Sequence, residues 1–453
     1  MSFLTEKIVA NGRGAPVAEV AHRKAYKRRR IELARQLKHG AVILRTAPQR
    51  IRSADTHHRY RFDSNFYYLT GFREPEAVLV IMLAGKKPKS ILFCQEKNPE
   101  REIWDGFRYG PEAARLAFGF DEAWPISALD VELTKLLQNQ PVLHTPLGLD
   151  TEWDQRVVGW LNAVRAMART GVAAPHEIRD VREPIAALRL IKEDGELALM
   201  RHAAAISGEA HQAAMRAARH ASFEYEVEAE LLYEFRRQGA QAPAYSSIVA
   251  GGANACVLHY VDNGAPLTQG DLLLIDAGCE VDGYASDITR TFPVSGKFSG
   301  AQKDVYELVL KAQLAAIKAV KPGTPFIAYH EAAVRVLARG MIDLKLCGGS
   351  LDKVIETGDY RRFYTHRTGH WLGLDVHDAG AYMHEGEWVK LQPGMVLTVE
   401  PGCYIRPADD VPEAFWNIGV RIEDDVLVTK KGREVLTQAC PKKVADIEAL
   451  MHD

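Results

Sequence analysis

The sequence is poor in cysteine and has no marked excess of either charge. Six cysteines, Cys94, Cys256, Cys279, Cys347, Cys403 and Cys440, are scattered through the chain without a CxxC pair. That spacing argues against a disulfide framework and against a structural zinc site. Cys279 and Cys403 read as small buried packing residues. Lys plus Arg number 57 and Asp plus Glu 59, which leaves no electrostatic footprint for nucleic acid or an anionic membrane. The run Arg28-Arg29-Arg30 reads as a solvated helix face. The stretch MSFLTEKIVANGRGAP lacks a basic segment followed by roughly 7–15 apolar residues, the pattern of a secretory leader. No run approaches the ~20 apolar residues that span a bilayer. The expectation is a cytoplasmic protein with no membrane and no nucleic-acid partner.

What is present is the composition of an ordinary globular enzyme, 47% hydrophobic, 26% charged and 8% aromatic. At 453 residues the chain is longer than one hydrophobic core supports, so two domains are expected. Residues 1–182 read as an α/β unit: a basic amphipathic helix around Ala25–Leu37, then short strands such as AVILRT, EAVLVIML and SILFCQ. Residues 171–184, GVAAPHEIRDVREP, hold two prolines and several charges and read as the linker. The second unit, 183–453, opens with a long helical pattern from Leu188 to Arg219. Two further helices, near Ser299–Val320 and Pro325–Arg339, stand among glycine-punctuated strands. Helices and strands segregate here, which favours α+β layering on a largely antiparallel, curved sheet.

Five residues in the second unit carry the chemistry: Asp276, Asp287, His370, Glu400 and Glu423. Each interrupts an apolar or glycine-bounded segment, namely LLLIDAGCE, ASDITRTF, GHWLGLDVHD, VLTVEPG and GVRIEDD. A carboxylate in water-poor surroundings costs several kcal/mol unless a cation or hydrogen bonds compensate. Several converging carboxylates would repel one another, and a pair of divalent ions resolves the conflict. Oxygen-rich ligation with one imidazole suits manganese or a similarly hard ion. Asp282-Gly283 is a strong hairpin signal; folding about it brings Asp276 and Asp287, eleven positions apart, onto neighbouring strands and roughly opposite each other. Gly369 and Gly373 disfavour a helix around His366, His370 and His377, so one histidine as ligand fits better than a helical histidine pair. Asp424 and Asp425 read as strand-edge acids pointing to water.

The order Asp, eleven on Asp, then His, Glu and Glu in these contexts resembles the dinuclear metallopeptidase superfamily with the pita-bread fold. Within it the chain looks like bacterial aminopeptidase P, on YRFDSNFYYLTGFREPEAVLV, EIWDGFRYG, IDAGCEVDGYASDITRTFPVSGKFS, HWLGLDVHD and GMVLTVEPGCYI. The resemblance implies a pita-bread catalytic domain behind a smaller α/β domain. It implies an aminopeptidase that releases the first residue of peptides with proline second, and two divalent ions, usually Mn²⁺. Asp287 and Glu423 would bridge both ions, Asp276 would complete one shell, and His370 and Glu400 the other. Glu400 would shuttle the proton, and His377 would stabilise the oxyanion. His259 and His366 would line the proline pocket, and Arg421 with Tyr404 would orient Glu423. Trp104 matches a tryptophan that reaches towards an active site, which implies a homodimer or homotetramer. Prolidase, restricted to Xaa-Pro dipeptides, shares these features and is the alternative. A non-catalytic peptide-binding relative is the third reading, and the intact ligand set argues against it.

Overall fold

The structure, a computed structural model, describes residues 20–83 and 87–452; the amino-terminal stretch read above for a leader lies outside them. The chain divides into two compact units, Met1–Leu188 and Arg189–Asp453. That division falls inside the helix Arg182–Leu190, a few residues beyond the expected boundary.

In the first unit, the helix Val20–Leu37 precedes a six-stranded sheet. Its spatial order is Glu122–Pro125, Lys89–Cys94, Val78–Met82, Ala41–Arg45, Val142–His144, Glu177–Arg179. The three central strands pair antiparallel and the outer ones parallel. The central strands are nearly continuous apolar runs because both faces of the sheet are covered. Leu133, Val157, Leu161 and Val164, from the helices Leu129–Leu136 and Thr151–Arg165, close one face over Ile43, Val80 and Phe93.

Two expectations are corrected in this unit. The presumed linker contributes the strand Glu177–Arg179, which pairs with Val142–His144 through its main chain while its side chains remain largely in water. An edge strand needs backbone partners more than apolar side chains, so its composition reads as loop. The Arg28-Arg29-Arg30 run is not wholly a solvated face: Arg29 and Arg30 are buried. Arg30 donates to the carbonyls of Leu69 and Gly119 at 2.8 Å, and its guanidinium lies 4.5 Å from the centre of the Phe120 ring.

In the second unit the strands form short, wholly antiparallel sheets. The helices Asp194–Ala218 and Gly300–Ala319 supply Ala203, Ile206, Ala210, Val305, Val309 and Ala312 to a core shared with one face of the strands. The segregated α+β arrangement follows the sequence pattern. The expected single helix from Leu188 to Arg219 is instead broken at residues 191–193, where Glu193 and Glu196 form a capping box that starts the new helix at Asp194. Ser299 and Gln302 cap Gly300–Ala319 in the same way. Among the described residues no helix is long and apolar enough to cross a membrane.

Candidate metal centre

Strand alternation assembles the site. On the strand Leu272–Asp276, Leu273 and Ile275 face the helical core, so Leu274 and Asp276 face away from it. Thr289 pairs with Asp276, and Thr291 with Leu274, on the same face. Leu397 and Val399 enter the core, which turns Thr398 and Glu400 outward; Val420 and Ile422 do the same for Arg421 and Glu423. The apolar neighbours that flagged Asp276, Glu400 and Glu423 in the sequence are therefore the residues that hold them on a common face.

The Asp282-Gly283 turn is the expected hairpin, with φ of 53° and 80° and Val281 paired to Tyr284. The register differs from the expectation. Asp276 is opposite Thr289, and Asp287 lies two residues earlier, where the strands pinch together at Gly278. A Cβ on Gly278 would come within 1.9 Å of the Ser286 carbonyl oxygen, so only glycine permits this approach. The two aspartates are diagonal neighbours instead of directly opposed. Tyr245 joins them: its hydroxyl lies 2.7 Å from Asp276 Oδ1 and 2.5 Å from Asp287 Oδ1.

His370 lies on an extended segment, not a helix, beside the strand Val396–Val399. Its main-chain NH donates to Thr398 Oγ1, and Thr398 NH donates to its carbonyl. Nδ1 lies 3.0 Å from the Trp371 carbonyl and donates to it. This leaves the Nε2 lone pair for the site, 3.5 Å from both Asp287 Oδ2 and Glu400 Oε1. Single donor atoms of Asp287, His370 and Glu423 lie within 4.8 Å of one another.

Taken as side chains alone, the cluster is electrostatically overloaded. Burial, together with the charges of Asp287 and Asp276, outweighs His370 and Arg421 and pushes the Glu400 carboxyl up to about 7. Burial and the neighbouring Asp287 and Glu400 hold Glu423 well above the carboxylate range. Burial opposes charge on His370, but its hydrogen bond to Asp287 and the charge of Glu400 lift it to about 9. Four carboxylates and one outward lone pair, with the Arg421 guanidinium on one side, are a donor set suited to divalent cations.

Arg421 is buried but does not contact Glu423 directly. Nη2 pairs with Asp276 Oδ2 at 2.7 Å, Nη1 donates to the Tyr404 hydroxyl, and Nε donates to Thr289 Oγ1. Thr289 in turn donates to Glu423 Oε2 at 2.6 Å. His366 Nε2 is 2.8 Å from the Tyr404 hydroxyl, and its Nδ1 is 3.6 Å from Glu400 Oε2. Burial and the Arg421 charge push His366 down to about 3, so it is neutral. The His377 ring stands edge-on to His370, with centroids 4.3 Å apart. His259 lies at the exposed rim. Asp276, Asp287, Glu400, Glu423, Arg421, His259, His366, His370 and His377 line a cavity of about 710 Å³ whose walls also include Ile248, Leu258, Val261, Phe326, Tyr382 and Trp388.

Sequence reasoning missed Tyr245 and Thr289. Thr289 lay inside a quoted segment, but a neutral hydroxyl carries no charge anomaly; Tyr245 lies in a loop with no pattern. Asp424 and Asp425 correct a further expectation, since neither points to water. Asp424 pairs with Arg290 Nη2 at 2.8 Å and with Lys442, and Asp425 Oδ2 accepts from the Asp287 main-chain NH. Trp104 is 82% exposed on the helix Pro99–Asp105, beside Ile103 at 81%.

The chain belongs to metallopeptidase family M24, whose model matches residues 198–430. It is thus a metal-dependent hydrolase with a pita-bread domain. Residues 26–144 match the aminopeptidase P N-terminal domain, which places the chain with aminopeptidase P inside the family. The Xaa-Pro aminopeptidase of Escherichia coli (strain K12) is 42% identical over 431 residues, 95% of this chain and 98% of that protein. The structure of Pseudomonas aeruginosa aminopeptidase PepP matches with a TM-score of 0.93 and 49% identity, over 95% of this chain and 98% of that one. A zinc-substituted E. coli aminopeptidase P in complex with product matches at 0.92 and 42% identity, over 95% and 98%.

Proposed function

We propose that this chain is an Xaa-Pro aminopeptidase, releasing the first residue of peptides whose second residue is proline. The observation that carries the reading is that Asp276, Asp287, His370, Glu400 and Glu423 all line one cavity with apolar walls. Asp287 and Glu423 would hold two divalent ions jointly, with Asp276 on one and His370 with Glu400 on the other. Such ions supply a nucleophilic water near neutral pH and polarise the scissile carbonyl. Mn²⁺ suits the oxygen-rich donors.

The chain's own residues do the rest. Glu400 takes a proton from the attacking water and returns it to the proline nitrogen, which has no hydrogen of its own. His377 donates to the oxygen on which charge develops. His259, His366, Ile248 and Leu258 line the side that receives the proline ring. Arg421, braced by the Tyr404 hydroxyl, holds Asp276 directly and Glu423 through Thr289. The exposed Trp104 and Ile103 support a homodimer or homotetramer, and a cytoplasmic location agrees with the sequence.

The test is hydrolysis of a matched pair, Xaa-Pro and Xaa-Pro-Yaa-Yaa, by metal-stripped protein resupplied with Mn²⁺. Release of the first residue from the longer peptide is the expected result. Cleavage of the dipeptide alone would make the chain a prolidase, and silence on both with metal bound would defeat the reading.

A further inference from the structure

The segment that carries His377 has no regular secondary structure, yet it is closed on itself. Asp378 NH donates to the Trp371 carbonyl at 2.8 Å, Gly373 NH to the Asp375 carbonyl, and Ala285 NH to the Gly373 carbonyl. The Asp378 side chain fills the interior of this loop, only 1% exposed. Its Oδ1 meets Arg189 Nη2 at 2.5 Å and its Oδ2 meets Lys192 Nζ at 2.9 Å. Arg189 is 3% exposed and Lys192 1%, and Arg189 also reaches Asp375 Oδ2 at 2.7 Å. The carboxylate packs so closely under Gly373 that a Cβ there would come within 2.3 Å of Oδ2. Three charges are thus taken out of water to define this loop, and none of the three lines the cavity. For stability alone, an apolar filling of the same volume would serve as well or better. What the ions add is geometry, since two cations from residues 189–192 fix both oxygens of one carboxylate.

We infer that Arg189 and Lys192, acting on Asp378, form a clamp whose role is to position His377 against His370. The inference rests on the role given to His377 above. The clamp residues contact neither substrate nor the ligand atoms, so they are positioning residues. A displacement of about 1 Å in a group acting on the transition state costs on the order of 10²-fold in rate, and this is the scale expected for loss of the clamp.

The test combines kinetics with structure. Asp378→Asn keeps the shape and removes the charge; Lys192→Met removes only one cation and serves if the first variant folds poorly. In the metal-loaded enzyme either change is expected to lower kcat by about ten- to a hundredfold, with KM and bound metal little changed. In a His377→Ala background the same change is expected to have almost no further effect, because its target is gone. Equal losses in both backgrounds, or unchanged kcat, would overturn the inference. A crystal structure of the variant is the independent arm. Movement of residues 373–378 with His370 in place supports the clamp, even if the His377→Ala result shows that the ring does not serve catalysis. An unmoved loop refutes it whatever the kinetics.

Discussion

Replacing Arg290 by methionine is the sharpest test of how burial sets the value of an ion pair in this molecule. Arg290 is fully buried. It pairs with Asp424 Oδ1 at 2.8 Å and donates to the carbonyls of Thr289 at 2.9 Å, Glu423 at 2.5 Å, and Pro441 and Cys440 at 3.0 Å each. Methionine fills much of the space but leaves Asp424 buried without its main counter-ion. Breaking a buried pair from one side costs about 3–5 kcal/mol. Lys442, Gln313 and Thr437 still bond Asp424, which argues for the lower part of that range. Of the four carbonyls that lose a donor, Thr289 keeps the Glu423 NH; the other three add about 1 kcal/mol each, so about 6 kcal/mol is expected overall. At roughly 2–4 °C per kcal/mol for a unit of this size, the second unit should melt about 12–24 °C lower.

Arg201→Met is the matched control. Arg201 grips Glu434 with two bonds of 2.8 Å, but the partners are 43% and 41% exposed, so about 0–1 kcal/mol is expected. Thermal and urea unfolding of the two variants, followed by a probe in the second unit, decides the matter. Equal shifts would refute the argument. There is also a pH signature. Burial works against the Asp424 charge, but Arg290 and Lys442 outweigh it and hold the carboxyl down at about 2, from 3.8. A depressed carboxyl contributes stability that is complete above the unfolded value and is lost as pH falls through the folded one. Wild type should lose this increment between about pH 4 and 2, and Arg290→Met should lose less across the same window.

Asp287→Ala removes a proposed ligand to both ions and should abolish turnover with loss of metal; a variant that retains both ions by elemental analysis and turns over fully would exclude the bridging role. Loading the stripped protein should release protons, because His370 near 9, Glu400 near 7 and Glu423, held well above the carboxylate range, must give them up to bind. Affinity should therefore weaken as pH falls from about 9 through 7, and calorimetry in buffers of different ionisation enthalpy measures the proton count; none released would contradict the site's electrostatics. Tyr245→Phe removes the hydroxyl shared by Asp276 and Asp287 and is expected to lower metal affinity about 10–100-fold, as for other groups that orient ligands. Unchanged affinity in a competition titration would show the tyrosine to be incidental.

The five residues were legible because each is a titratable group inside an apolar or glycine-bounded segment, and for Asp276, Glu400 and Glu423 the alternation that buries the neighbours also turns the acid to the site. The hairpin was legible because Asp282 and Gly283 tolerate positive φ. Its register was not, since the offset of Asp287 depends on backbone contact at Gly278 with Ser286. Asp424 misled because its compensating cations lie 134 and 18 residues away along the chain, where no local pattern shows them. The strand Glu177–Arg179 was hidden for the opposite reason: it is held by main-chain partners, and side-chain composition says nothing about those. Tyr245 and Thr289 are uncharged, and only their positions make them part of the site.

The two-faced strands also bear on how the chain can change in length. A one-residue insertion within Leu272–Asp276, Val396–Val399 or Ile418–Arg421 would exchange the faces beyond it, driving a ligand into the helical core and a core residue into the cavity. Insertions and deletions should therefore be confined to segments outside that alternation. The hairpin tip between Met383–His384 and Glu387–Trp388 is such a place: Glu385 and Gly386 at its turn are exposed, and Met383 and Trp388 line the cavity. Length variation there would reshape the entrance to the cavity while leaving every ligand in register, so related chains with different peptide preferences could diverge at this hairpin without disturbing the metal centre.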